Sequence, residues 1–219
     1  MKACRAVLFD LDGTLLYTLQ DLADSMNAAL GSLGYPARPV EDYRFFVGQG
    51  VAELARRALP ENSRDQETIE AASNAFMEEY AKAWNRSTMP YGGVEALLDA
   101  LQKSRLSMAV LSNKPQDFTE KCVQEYFPQT PFAEVRGTRP GVPRKPDPAG
   151  ALAIARDMGV APASFAYVGD SGTDVKTALA AGMRPVGALW GYRPRSELEG
   201  AGAVEFIQEP LDLLPLLGL

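Results

Sequence analysis

Short apolar runs that each stop at a polar or acidic residue recur along this chain, with helix-like segments between them. Ala6–Phe9 runs into Asp10, Leu106–Leu111 into Ser112, and Phe165–Gly169 into Asp170. Runs of this length and composition read as strands buried on both faces. Strands that alternate with helices predict an α/β fold built on a parallel sheet with helices over both faces. Ligands of such sheets bind outside the carboxyl ends of the strands. Asp10, Ser112 and Asp170 are therefore expected in one crevice although they are far apart in sequence.

The alternation is interrupted once. Leu19, Leu22, Met26, Leu30 and Leu33 recur at helical spacing, and Gly34 with Pro36 ends that helix. A second helix is expected over Val51–Leu59, and a third through Ile69, Phe76, Tyr80 and Ala83. This all-helical stretch reads as a cap domain, residues 17–87, inserted into a core made of 1–16 and 88–219. The connections are expected at Leu16–Thr18 and near Tyr91–Gly93. Downstream, helices are predicted over Val94–Leu101, Pro115–Tyr126, Pro148–Met158 and Thr173–Ala181, with a short one at Leu211–Leu216. Further strands are predicted at Phe132–Val135, Pro185–Trp190 and Val204–Ile207.

The chain has no histidine, which removes Ser-His-Asp and Cys-His catalysis and the usual zinc sites. Acid–base chemistry must fall to carboxylates, Lys, Tyr or water. The net charge of −6 argues against nucleic acid as a partner. No apolar run approaches a membrane span, and the first residues do not read as a signal peptide. The expected address is the cytoplasm, as a monomer or homodimer. Cys4 and Cys122 read as buried thiols rather than a disulfide.

Four segments carry chemistry-bearing residues, and each has a plainer reading beside the functional one. In Asp10-Leu11-Asp12-Gly13-Thr14 the two carboxylates become useful if a divalent cation keeps one ionised and the other carries a proton. Thr14 offers a hydroxyl and an N–H to phosphate oxygens; the same pattern fits a solvated Asx turn. Ser112-Asn113-Lys114 places a hydroxyl and N–H groups where they suit a phosphate oxygen, or caps the helix after Pro115. Lys145, between Pro143 and Pro146, can neutralise phosphate or orient a carboxylate, or simply be solvated. Asp170 and Asp174 suggest a hard cation with oxygen ligands, or an N-cap. If Asp10, Asp12, Asp170 and Asp174 cluster, a cation and Lys145 are needed to balance them, and a bound phosphate favours Asp12 in its protonated, general-acid form.

AVLFDLDGTL, AVLSNKP, PRKPDP and YVGDSGTD, in that order, resemble the motifs of the haloacid-dehalogenase superfamily. Within the helical stretch, FFVGQG resembles the cap loop of phosphoglycolate-phosphatase-like members, and YGGVEALLDAL resembles the segment that re-enters the core. The resemblance implies a Rossmann-like core with a helical cap, and a Mg²⁺-dependent phosphatase acting on a small phosphorylated metabolite. It implies Asp10 as the nucleophile of an aspartyl-phosphate intermediate, and Asp12 as the group that protonates the leaving oxygen and then activates water. Mg²⁺ would lie on Asp10, Asp170 and the backbone carbonyl of Asp12, supported by Asp174. Ser112 and Lys145 would hold the phosphoryl group, with Thr14 and Asn113 nearby. Gly48-Gln49-Gly50 would offer N–H groups to the carboxylate of 2-phosphoglycolate, the expected substrate. Asp12 argues against dehalogenases and phosphonate hydrolases of the superfamily, and the missing histidine weakens a sugar phosphomutase. A pyrophosphatase, a sugar-phosphate phosphatase or a catalytically silent phosphate-binding module remain the alternatives. The Arg136–Val142 loop departs from the plainer loops of the family and receives no role.

Overall fold

A computed structural model describes residues 4–219. The chain divides into two compact units, one made of 1–16 and 90–219 and the other of 17–89.

The first unit is built on six strands: β1 (Ala6–Phe9), β2 (Ser107–Pro115), β3 (Phe132–Thr138), β4 (Phe165–Gly169), β5 (Arg184–Ala188) and β6 (Phe206–Ile207). Their spatial order is β3-β2-β1-β4-β5-β6, and every neighbouring pair is parallel. This is the doubly wound α/β arrangement, in which the strand order reverses at β1. The sequence explains why β1 and β4 are central: all their residues are buried, so they suit only strands covered on both faces. One face is filled by Ala6, Leu8, Ala109, Leu111, Phe165 and Tyr167 against Ala151, Ile154 and Ala155 of the helix Ala149–Asp157.

Two differences from the sequence expectation have physical causes. The polar triplet Ser112-Asn113-Lys114 signals a loop, yet β2 runs on to Pro115, with a register shift after Leu111, and Pro115 still pairs with Thr138. The triplet is buried because each side chain has a partner in the site described below. The helix Arg195–Gly200 was not expected, because only Leu198 is buried and no apolar period marks it. Leu198 packs it on Val175 and Ala203, Glu197 accepts from Gly172 N at 3.1 Å, and the Arg195–Glu199 pair, 2.7 Å apart across one turn, adds to this at the surface.

The second unit contains the helices Leu19–Ser32, Tyr43–Phe46, Val51–Ala58 and Gln66–Ala83. Asp65 caps the last of these by accepting from Thr68 N at 3.0 Å. Phe76 and Tyr80, one helical turn apart, stack with ring centroids 5.3 Å apart. The unit's two ends are tied together by Asp21, which is 2% exposed. Its carboxylate accepts from the N–H groups of Ser87 and Thr88, both at 2.9 Å, and from the Thr88 hydroxyl at 2.7 Å. Removing the acceptor strands the N–H groups of Ser87 and Thr88, while the Thr88 hydroxyl keeps the carbonyl of Trp84 at 3.0 Å. Asp21→Ala is therefore expected to lower the unfolding free energy by about 2–4 kcal/mol, measured by urea denaturation; a loss below a few tenths would refute the clasp.

Candidate active site

The carboxyl ends of β1, β2 and β4 converge. Asp10 continues β1 by donating its N–H to Val168 O at 2.9 Å, which fixes its backbone to β4. Its Oδ1 accepts from Leu11 N at 2.7 Å and lies 2.8 Å from Lys145 Nζ. Lys145 Nζ also donates to Asp174 Oδ1 at 2.7 Å and to the carbonyl of Leu111 at 2.9 Å. One ammonium, 3% exposed, thus ties together β1, β2 and the helix Gly172–Ala180.

Asn113 explains how Lys145 is aimed. Its Oδ1 accepts from Lys145 N and its Nδ2 donates to Lys145 O, both at 3.0 Å. The amide acts as a short β-ladder between β2 and the 143–148 segment. The Asn113 side chain, expected near the phosphate, engages the Lys145 backbone. Ser112 is buried, and its Oγ accepts from Lys114 N at 3.1 Å.

Asp170 follows β4. Its Oδ2 accepts from Tyr192 N at 2.7 Å and its Oδ1 receives a weak bond from Thr14 Oγ1 at 3.4 Å. Both glycines beside it are sterically required. A Cβ at Gly13, whose φ is +89°, or at Gly191 would collide with the Asp170 side chain. Trp190 Nε1 donates to Thr14 O at 3.0 Å. The segment Trp190–Tyr192 thus braces both Thr14 and Asp170. Sequence reasoning passed over it, because its contribution is backbone and glycine rather than charge. The N-cap alternative is also realised, by Ser171: Asp174 N donates to its Oγ, and Asp174 Oδ2 accepts from Ser171 Oγ at 2.6 Å and Ser171 N at 3.2 Å.

Asp12 makes an ion pair of its own. Its carboxylate pairs with Lys114 Nζ, at 3.0 Å from Oδ1 and 3.4 Å from Oδ2. Lys114 was not singled out in the sequence; a lysine behind a Ser-Asn pair carries no signal that it will be buried.

Asp10, Asp170 and Asp174 each offer an oxygen within 4.8 Å of the others, and all three are buried. Burial pushes the Asp10 carboxyl well up, and the Asp174 charge pushes it further, against the pull of Lys145. Burial and then Asp174 push Asp170 up to about 7, against the Tyr192 N–H. Burial works against the charge of Lys145, but Asp10 and Asp174 outweigh it and keep the ammonium protonated. Three carboxylates facing one ammonium lack two positive charges if all ionise. An all-oxygen donor set with that deficit fits a hard divalent cation.

Gly48-Gln49-Gly50 lies in the helical unit, leading into the helix Val51–Ala58, whose N-cap is Gly50. Arg57 of that helix donates to Phe45 O at 2.5 Å and to Gln49 Oε1 at 2.8 Å, and is itself held by Glu53 at 2.5 Å. Hydrogen bonds from Arg56 and Arg57 hold the Glu53 carboxyl down at about 2. A depressed carboxylate contributes stability above its unfolded pKa and loses it as pH falls through the folded one. The stability gap between wild type and Glu53→Gln should be fully open at pH 7 and shrink steadily as pH falls below about 4.5. A gap independent of pH in denaturant titrations would sink this.

A model of haloacid dehalogenase-like hydrolases matches residues 7–188, and the chain belongs to that family. A phosphoglycolate phosphatase of Pseudomonas putida is 35% identical over 215 residues, 96% of this chain and 79% of that protein. One from Pseudomonas syringae pv. syringae is 36% identical over 216 residues, 95% and 79% of the two chains. Among solved structures, a protein of Lactobacillus delbrueckii subsp. bulgaricus, provisionally assigned as a phosphoglycolate phosphatase, superposes with a TM-score of 0.92 at 28% identity over 98% of both chains. The six-stranded parallel core and the family membership agree with the sequence expectation. Among the described residues no helix is long and apolar enough to cross a membrane.

Proposed function

We propose that this hydrolase is a Mg²⁺-dependent phosphatase that cleaves a small phosphate monoester, 2-phosphoglycolate, through an aspartyl-phosphate on Asp10. The observation that carries the reading is the Asp10 carboxylate at the end of β1, fixed by Lys145 and grouped with Asp170 and Asp174. The substrate follows from the phosphoglycolate phosphatases that share about a third of their residues with this chain.

Asp10 attacks phosphorus and the bond from phosphorus to the ester oxygen breaks. Asp12 gives its proton to that departing oxygen. In the second half, the Asp12 carboxylate takes a proton from water. The water oxygen bonds to phosphorus, the bond between phosphorus and Asp10 breaks, and inorganic phosphate leaves. Lys145 and the Ser112 and Thr14 groups hold the phosphoryl oxygens, since this reaction depends mainly on position and charge. Asp10, Asp170 and the Asp12 carbonyl, with Asp174 beside them, would hold Mg²⁺, which would supply the missing positive charge.

A panel of small phosphorylated metabolites ranked by kcat/KM tests the substrate. 2-Phosphoglycolate is expected to lead, and a clear lead for pyrophosphate or a sugar phosphate would end that choice. Asp10→Asn should lose at least about a thousandfold in kcat while still giving a cooperative thermal melt. Mg²⁺ should raise the melting temperature of the chelator-treated wild type, and raise that of Asp170→Asn much less. An equal rise in both would remove Asp170 from the cation site.

A further inference from the structure

The mechanism leaves one buried cation unused. Lys114 has a side chain only 3% exposed, and its Nζ sits 3.0 Å from Asp12 Oδ1. The two buried lysines of the site divide its charge. Lys145 faces the nucleophile, through Asp10 and Asp174. Lys114 faces the acid, through Asp12. Asp12 hands its proton to the leaving oxygen, so the group attached to that oxygen must lie beside Asp12, and therefore within reach of Lys114. A lysine placed only to hold Asp12 would serve any leaving group. A lysine whose charge also reaches the leaving group favours one that carries an anion.

Resting on the phosphatase reading above, we propose that Lys114 is the residue of the core that selects substrates bearing a carboxylate on the leaving group. The class is phosphate monoesters of short 2-hydroxy acids. In these the carboxylate carbon is two bonds from the ester oxygen, so an anion lies close to the atom that Asp12 protonates. A charge-assisted contact at a buried site is roughly twice as strong as a neutral one, and a neutral alkyl phosphate offers Lys114 no such partner.

The test compares 2-phosphoglycolate with 2-hydroxyethyl phosphate, which has the same length but a hydroxymethyl group in place of the carboxylate. Wild type is expected to prefer the carboxylate ester in kcat/KM. Lys114→Met should cut that preference by roughly 10- to 100-fold, and Lys114→Arg, which keeps the charge, should retain more of it. Glycolate, as a product inhibitor, should bind more weakly to Lys114→Met than to wild type. Equal losses on the two esters would mean that Lys114 only holds Asp12, and would overturn the inference while leaving the phosphatase reading intact. A wild type with no preference for the carboxylate ester would overturn the inference and the choice of 2-phosphoglycolate, and only a wild type that hydrolyses neither ester would overturn the phosphatase reading. If Lys114→Met fails to fold by thermal melt, Lys114→Gln against Lys114→Arg carries the same comparison with the same outcomes.

Discussion

The ammonium of Lys145 is the contact on which the site's architecture turns. It lies within 2.8 Å of Asp10 and 2.7 Å of Asp174, two carboxylates that would otherwise repel each other in a buried space. Its third bond, to the carbonyl of Leu111, anchors it to β2. Breaking a buried pair by removing one partner leaves an uncompensated charge and costs far more than an exposed pair is worth. The surrounding residues are arranged to keep this lysine in place. Asn113 spends both ends of its amide on the Lys145 backbone. That use accounts for the otherwise odd burial of a polar triplet at the end of a strand.

The remaining acids are positioned by backbone more than by charge. Asp170 is held by the Tyr192 N–H, and close packing on either side demands glycine at 13 and 191. Asp174 serves at once as a capping-box partner for Ser171 and as a ligand of Lys145. A cluster built this way has its polar groups held by several contacts each, and polar groups already in place cost no reorganisation at the moment of reaction. It also carries surplus negative charge, which burial turns into raised carboxyl pKa values.

Much of this was legible in the sequence. β1 and β4 could be read from Ala6–Phe9 and Phe165–Gly169 because strands buried on both faces admit only apolar residues. The meeting of Asp10 with Asp170 followed from where the apolar runs stop, and the place of Lys145 and Asp174 beside them from the motifs that resemble the family's. What could not be read shares one cause: tertiary partners decide the fate of polar residues. Ser112, Asn113 and Lys114 look like a loop until the groups that satisfy them are known. Lys114 looks solvated until Asp12 is placed against it. Gly191 matters only because Asp170 is packed on it, and a lone Gly in Trp-Gly-Tyr announces nothing. The Arg195–Gly200 helix buries only Leu198, so no apolar period exists to be seen.

The Asp21 clasp has an evolutionary corollary. Because residues 87 and 88 are bonded to residue 21, the helical unit closes its own loop and owes its integrity to itself. A segment stapled at its own root can accept mutations, lengthen or be exchanged for another without disturbing the frame that carries the acids. Selection can thus rework that segment while the acids stay still, and such separability lets one scaffold diversify into many descendants.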